Sequence, residues 1–155
     1  MNAIFKKLNY KDQAAICVVN APASFNSALD EMRAITAVQD TLANAKGVTF
    51  ALAFATTQAQ VDTFARQIAK ASEGDAVVWI AYPKGTSKKY TCEFNRDTGW
   101  AEMGKQGFEP VRQVAIDEDW SALRFRRVDF IKSMTRSFAM TEQGQEKVKQ
   151  RKAKA

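Results

Sequence analysis

Three stretches of this chain are apolar at consecutive positions instead of alternate ones, and this limits its fold more than any other feature. They run from Ala14 to Asn20, from Val48 to Ala55 and from Val77 to Tyr82. A strand with one face in water alternates apolar and polar residues, whereas a strand apolar at every position must be covered on both faces. Between the second and third runs lies a helical pattern, with Val61, Phe64, Ala65 and Ile68 on one face. Thr57 and Gln60 precede it with the spacing of a capping box, and Gly74 lies just past its expected end. After the first run, Ser24 is placed to cap a shorter helix carrying Phe25, Ala28, Leu29 and Met32. Buried strands alternating with helices predict a largely parallel sheet covered on both sides.

The remaining elements complete the sheet. Ala34 to Val38 reads as a strand ending near Asp40, with Leu42 to Gly47 as a connection. Asp97 or Asn95 could start a helix that carries Trp100 and Met103 and ends by Gly107. Val111 to Ile116 and Trp120 to Arg126 read as the fifth and sixth strands. Only Asp117, Glu118 and Asp119 separate them. That turn is too short for a parallel crossover, so the last pair must be antiparallel. The expected architecture is a three-layer Rossmann-like α/β fold: a mixed, six-stranded, mostly parallel sheet with an antiparallel last strand. Residues 1–140 are expected to form one domain, with a final helix from Phe130 to Phe138, and residues 141–155 a basic, frayed tail.

Charge is unevenly spread over the 155 residues. The net charge is +6, but from Arg124 to Ala155 ten basic residues face three acids, while the preceding 123 residues sum to −1. One reading is a phosphate-neutralising arm that binds nucleic acid, through Arg136, Lys147, Lys149, Arg151 and Lys152. The other is a solvated terminal segment that keeps the protein soluble. The dearth of aromatic residues beyond Phe138 argues against base stacking.

Histidine is absent. This removes Ser-His-Asp and Cys-His catalysis and the usual zinc ligand sets, and no metal site is expected. Cys17 and Cys92 lack Cys-x-x-Cys spacing and read as a core residue and an incidental thiol, which fits a reducing cytoplasm. No apolar run approaches the ~20 residues of a membrane span, and no apolar stretch follows Lys6 and Lys7, so no secretory signal is expected.

Asn20-Ala21-Pro22-Ala23-Ser24, Trp79-Ile80-Ala81-Tyr82-Pro83-Lys84, the loop Thr86 to Lys89 and Trp120-Ser121-Ala122-Leu123-Arg124 together resemble an uncharacterised bacterial family known as a domain of unknown function. The resemblance spans roughly residues 14–127 and implies no particular activity. The closing order of helix, strand, acidic turn and antiparallel strand also resembles the second half of a class I methyltransferase-type Rossmann fold. That likeness implies S-adenosylmethionine as cofactor and gives Asp40, about 20 residues after Asn20, the ribose hydroxyls. Such enzymes follow the first strand with glycines, so that the backbone approaches the cofactor closely. Residues 20–24 contain none, which argues against binding in the usual manner.

In a parallel sheet, ligands bind beyond the C-terminal strand ends. The candidate ligand-binding residues there are Asn20, Ser24, Asp40, Thr57, Tyr82, Lys84, Thr86, Ser87 and Lys88. The lysines and hydroxyls of the Lys84 to Lys89 loop suit a phosphate or carboxylate, and the helix start at Thr57 offers free N–H groups. A mobile, solvated loop whose lysines touch nothing is the competing reading. Gly85 alone does not make a P-loop. Tyr82 is expected at the mouth of its strand. Trp79, Trp100 and Trp120 are expected to pack in the core, and Arg124 and Arg126 to pair with the acids of the turn. The reading is a cytoplasmic domain binding a small anionic or nucleotide-like ligand without classical catalysis. Its alternatives are a nucleic-acid-associated protein and a divergent S-adenosylmethionine-dependent methyltransferase. Beyond that resemblance, the residues name no cofactor.

Overall fold

The computed structural model describes residues 2–95 and 97–131. The expected helix from Phe130 to Phe138, apart from its first two residues, and the expected tail over residues 141–155 lie outside them. The elements run α1 (Ala3–Lys7), β1 (Ala15–Val19), α2 (Asn26–Arg33), β2 (Ala37–Gln39), β3 (Val48–Phe54), α3 (Gln58–Ala71), β4 (Ser72–Pro83), α4 (Ala101–Lys105), β5 (Phe108–Ala115) and β6 (Trp120–Arg127). The sheet order is β2-β1-β3-β4-β6-β5. Strands β2, β1, β3 and β4 pair in parallel, and β6 pairs antiparallel with both β4 and β5. The six-stranded mixed sheet is therefore the one expected, with a single reversed strand.

The three consecutive apolar runs become the three central strands because each feeds two cores. Ile16, Val18, Phe50, Leu52, Trp79 and Ala81 face α1 and α2, together with Phe5, Leu8, Leu29 and Met32. Cys17, Ala51, Ala53, Val78 and Ile80 face α3 and α4, together with Val61, Phe64, Ile68 and Met103. Each large apolar side chain buried this way contributes about 1.5–3 kcal/mol. Helix α3 begins in the expected capping box, with Thr57 and Gln60 satisfying each other's backbone N–H groups.

Several boundaries differ from the sequence expectation. Gly74 does not end α3. Ser72 caps that helix, donating its hydroxyl to Ile68 O at 2.6 Å, and Gly74 takes φ +62° inside the irregular start of β4. Helix α4 is one short turn starting at Ala101, not at Asn95 or Asp97, because Asn95 Oδ1 accepts from Asp97 N and holds a separate loop turn. Strand β2 pairs only over Ala37–Gln39. Helix α1 had no counterpart in the sequence reading. Asn2 Oδ1 caps it by accepting from Ile4 N, and Phe5 and Leu8 anchor it in the core.

Candidate functional site

The connections after β1 and β3 cover opposite faces of the sheet, so the topological switch lies between these two neighbours. At the end of β1, Asn20 adopts φ +59°. Asparagine tolerates this left-handed conformation better than most residues, so it performs the backbone turn for which glycine was expected. Phe25 is buried in the core, its ring 5.1 Å from that of Phe54. Phe54 stands edge-on to Trp120 at 5.1 Å, and Trp120 meets Tyr90 at 4.9 Å. Phe25, Phe54, Trp120 and Tyr90 thus form a continuous aromatic floor at the C-terminal end of the sheet.

The predicted residues divide around this floor. Asn20, Ser24 and Asp40 are exposed, and Asn20 and Asp40 follow the C-terminal ends of adjacent strands β1 and β2. Thr86 and Lys88 are exposed and Lys84 and Ser87 half-buried. Among the described residues Lys84 and Lys88 form no ion pair. Their loop is tied down instead of free: Lys84 N donates to Asp119 O at 2.8 Å, and Ser87 Oγ donates to Asp119 Oδ1 at 2.9 Å.

Two predicted roles are corrected. The N–H groups at the start of α3 are not open to an outside anion. Gln58 N donates to the Glu93 carboxylate at 2.8 Å, and Thr56 N and Thr57 N donate to Gln60 Oε1. The chain supplies its own carboxylate where helix N-termini favour negative charge. Tyr82 is the penultimate residue of β4, but its side chain is turned into the core and not toward a ligand. It is 4% exposed, packs against Phe94 and Trp100 on the α3 face, and its hydroxyl accepts from Gln113 Nε2 at 2.9 Å.

The arginines also find other partners than the turn acids. Arg126 makes a two-point contact with Asp75, at 3.0 and 2.6 Å. Among the described residues Arg124 reaches only Asn9 Oδ1, at 3.4 Å. Asp117 is occupied in shaping its own turn, accepting from Asp119 N and Trp120 N. Burial pulls the Arg124 guanidinium below its ordinary pKa. The like charges of Arg126 and Arg112 add to that, and Asp75 opposes it.

All three tryptophans are buried, as expected of core residues, but their N–H groups differ. Trp79 donates to Leu8 O at 2.8 Å and Trp100 to Asn95 O at 3.0 Å. Trp120, 3% exposed, has no acceptor for Nε1. It lies opposite Pro83 at the end of β4, hence at the C-terminal edge of the parallel strands. The sequence reading places Trp120 in packing, gives Asp119 to the arginines and assigns no role to Tyr90. The three-residue turn fixes only the pairing of β6 with β5; the placement of Trp120 beside Pro83 comes from the pairing of β6 with β4. The basic residues Arg136, Lys147, Lys149, Arg151 and Lys152 lie outside the described residues. No helix among the described residues is long and apolar enough to cross a membrane.

No protein-family model matches the sequence, and no curated protein matches it. Solved structures do match. An S-adenosylmethionine-dependent methyltransferase from Aquifex aeolicus aligns over 80% of this chain and 87% of its own, with a TM-score of 0.57 at 11% identity. The pyocyanin biosynthetic protein PhzM aligns over 80% of this chain and 53% of its own, with a TM-score of 0.51 at 10% identity. The shared feature is the Rossmann-like fold.

Proposed function

We propose that the protein binds a small anionic or nucleotide-like ligand at the C-terminal edge of its sheet, between the Asn20–Ser24 turn and the Lys84–Tyr90 loop. The observation that carries this reading is the Trp120 indole N–H, buried at that edge without an acceptor. An unpaired buried donor costs about 1–3 kcal/mol, and a ligand oxygen or ring nitrogen would remove the cost. Tyr90, tilted against Trp120, supplies an aromatic surface, and the lysines of the loop supply positive charge. The chain has no histidine, and the groups at this edge are lysines, hydroxyls and aromatic rings, so binding is the reading and catalysis is not assigned.

The test is the indole region of a ¹H–¹⁵N spectrum, with the Trp120 resonance assigned through Trp120→Phe. Titration with adenosine monophosphate should move that resonance saturably and leave those of Trp79 and Trp100 nearly in place. A resonance that stays put with adenosine monophosphate and with S-adenosylmethionine alike would end this reading.

A second reading, a divergent S-adenosylmethionine-dependent methyltransferase, draws support from the fold likeness and from Asp40 after β2. It requires saturable S-adenosylmethionine binding that weakens in Asp40→Ala. The absence of glycine from residues 20–24 weighs against it.

A further inference from the structure

A different cluster, on the face of the sheet that carries α1, has charges its surroundings do not neutralise. Strand β5 holds a bulge: Pro110 pairs with Phe125 and Arg112 with Arg124, leaving Val111 as the extra residue, 40% exposed. Bulges re-aim side chains. Here the bulge sets Arg112 directly opposite Arg124, two guanidinium-bearing residues whose Cβ atoms stand about 5 Å apart in such a pair. Arg126 follows two positions along the same strand face. Like charges directly opposite one another destabilise a sheet.

The cluster is unevenly provided for. Arg126 has the Asp75 carboxylate, with Glu109 opposite it in register. Arg112 and Arg124 have no carboxylate among the described residues. They share one neutral acceptor, Asn9 Oδ1, at 3.5 and 3.4 Å, the outer limit of a hydrogen bond. Arg124 Nε is buried with no partner at all. Asn9 is held beside them by its left-handed turn, φ +66°, at the end of α1.

We infer that Arg112 and Arg124, with Asn9 beside them, form a binding site for a phosphate group. Two adjacent guanidinium forks match the several oxygens of a tetrahedral oxyanion, which accepts two N–H groups from each. The anion displaces the two long contacts to Asn9, takes up the unpaired Nε–H edge of Arg124 and removes the repulsion between the strands. Asp75 keeps Arg126 in place as the flank of the site. These residues are separate from those at the C-terminal edge, so this site stands or falls independently of the ligand proposed there.

The test compares the full-length protein with Arg124→Met, which keeps the long stem and removes the charge. Inorganic phosphate is titrated against chloride at matched ionic strength, with thermal midpoint and calorimetric binding as readouts. Phosphate should raise the wild-type midpoint beyond the chloride control. In Arg124→Met that increment should vanish and phosphate affinity fall about tenfold or more, while the midpoint in chloride stays level or rises. Trp120→Phe should retain the full response. A short single-stranded oligonucleotide distinguishes the source of the phosphate. Tighter binding than inorganic phosphate, also lost in Arg124→Met, assigns a nucleic-acid backbone, and no gain over inorganic phosphate assigns a free phosphate or phosphomonoester. No phosphate-specific increment in the wild type, or an equal one in Arg124→Met, overturns the inference.

Discussion

Gly99 shows how tightly single residues are held at the α3–α4 junction. Its φ is +91°, and a Cβ there would lie 2.6 Å from Phe94 Cβ and 2.9 Å from Gln58 Oε1. Its carbonyl also accepts from Gln58 Nε2 at 2.8 Å. Gly99→Ala should therefore lose about 2 kcal/mol or more in urea unfolding, from backbone strain and overpacking together. Gly85→Ala, in open space without a positive φ, should change stability by less than about 0.5 kcal/mol. Equal losses at the two sites would contradict this account. The cysteines give a second prediction at this scale. Burial pushes the thiols of Cys17 and Cys92 above their ordinary pKa, and the Glu93 charge assists at Cys92 against a backbone hydrogen bond from Phe94. At neutral pH both hold little thiolate, and Cys17 is 2% exposed, its Sγ donating to Gln39 Oε1. Iodoacetamide should label Cys92 before Cys17 in the native protein, and both rapidly in denaturant, as read by peptide mass spectrometry. Native Cys17 reacting as fast as the denatured thiol would refute its burial.

Among the elements, α3 is the one the sequence describes best, and its start shows where such reading ends. The capping box and the apolar face of Val61, Phe64, Ala65 and Ile68 depend on spacings within one helix, and the structure has both. Thr57→Ala should cost about 1 kcal/mol by chemical denaturation, since Gln60 N loses its acceptor. Glu93→Gln should weaken the same helix end by about 0.3–1 kcal/mol, less in high salt, because the carboxylate on Gln58 N also meets the helix dipole. A salt-independent loss would show that the charge plays no part. The Glu93 contact joins residues 35 apart in sequence. Nothing in the local pattern points to it, which is why Thr57 read as an open anion site. Strand β4 shows the same division. Its apolar run marks Val77 to Tyr82 as buried, but strand parity and pairing turn Tyr82 toward α3 and Trp79 toward α1.

Across the whole molecule, one sheet ties two cores together. Residues of β4 alternate between them, Val78 and Ile80 to one side and Trp79 and Ala81 to the other, so the two cores share one backbone. Thermal or urea unfolding should be a single transition, coincident by tryptophan fluorescence and far-UV circular dichroism. Separated midpoints would mean that the faces unfold independently. The number of strands, the three buried ones among them and the reversal of β6 followed from apolar runs and the length of the Asp117–Asp119 turn. Those are local properties, set by the period of a strand and the reach of three residues. Which polar groups remain unpaired depended on contacts between distant segments. Glu93 fills the α3 terminus, the bulge at Val111 brings Arg112 against Arg124, and the return of β6 beside Pro83 leaves the Trp120 N–H without an acceptor. Hydrogen-bond satisfaction is a property of the packed chain, because each donor's partner is chosen by register and twist and not by its neighbours in sequence.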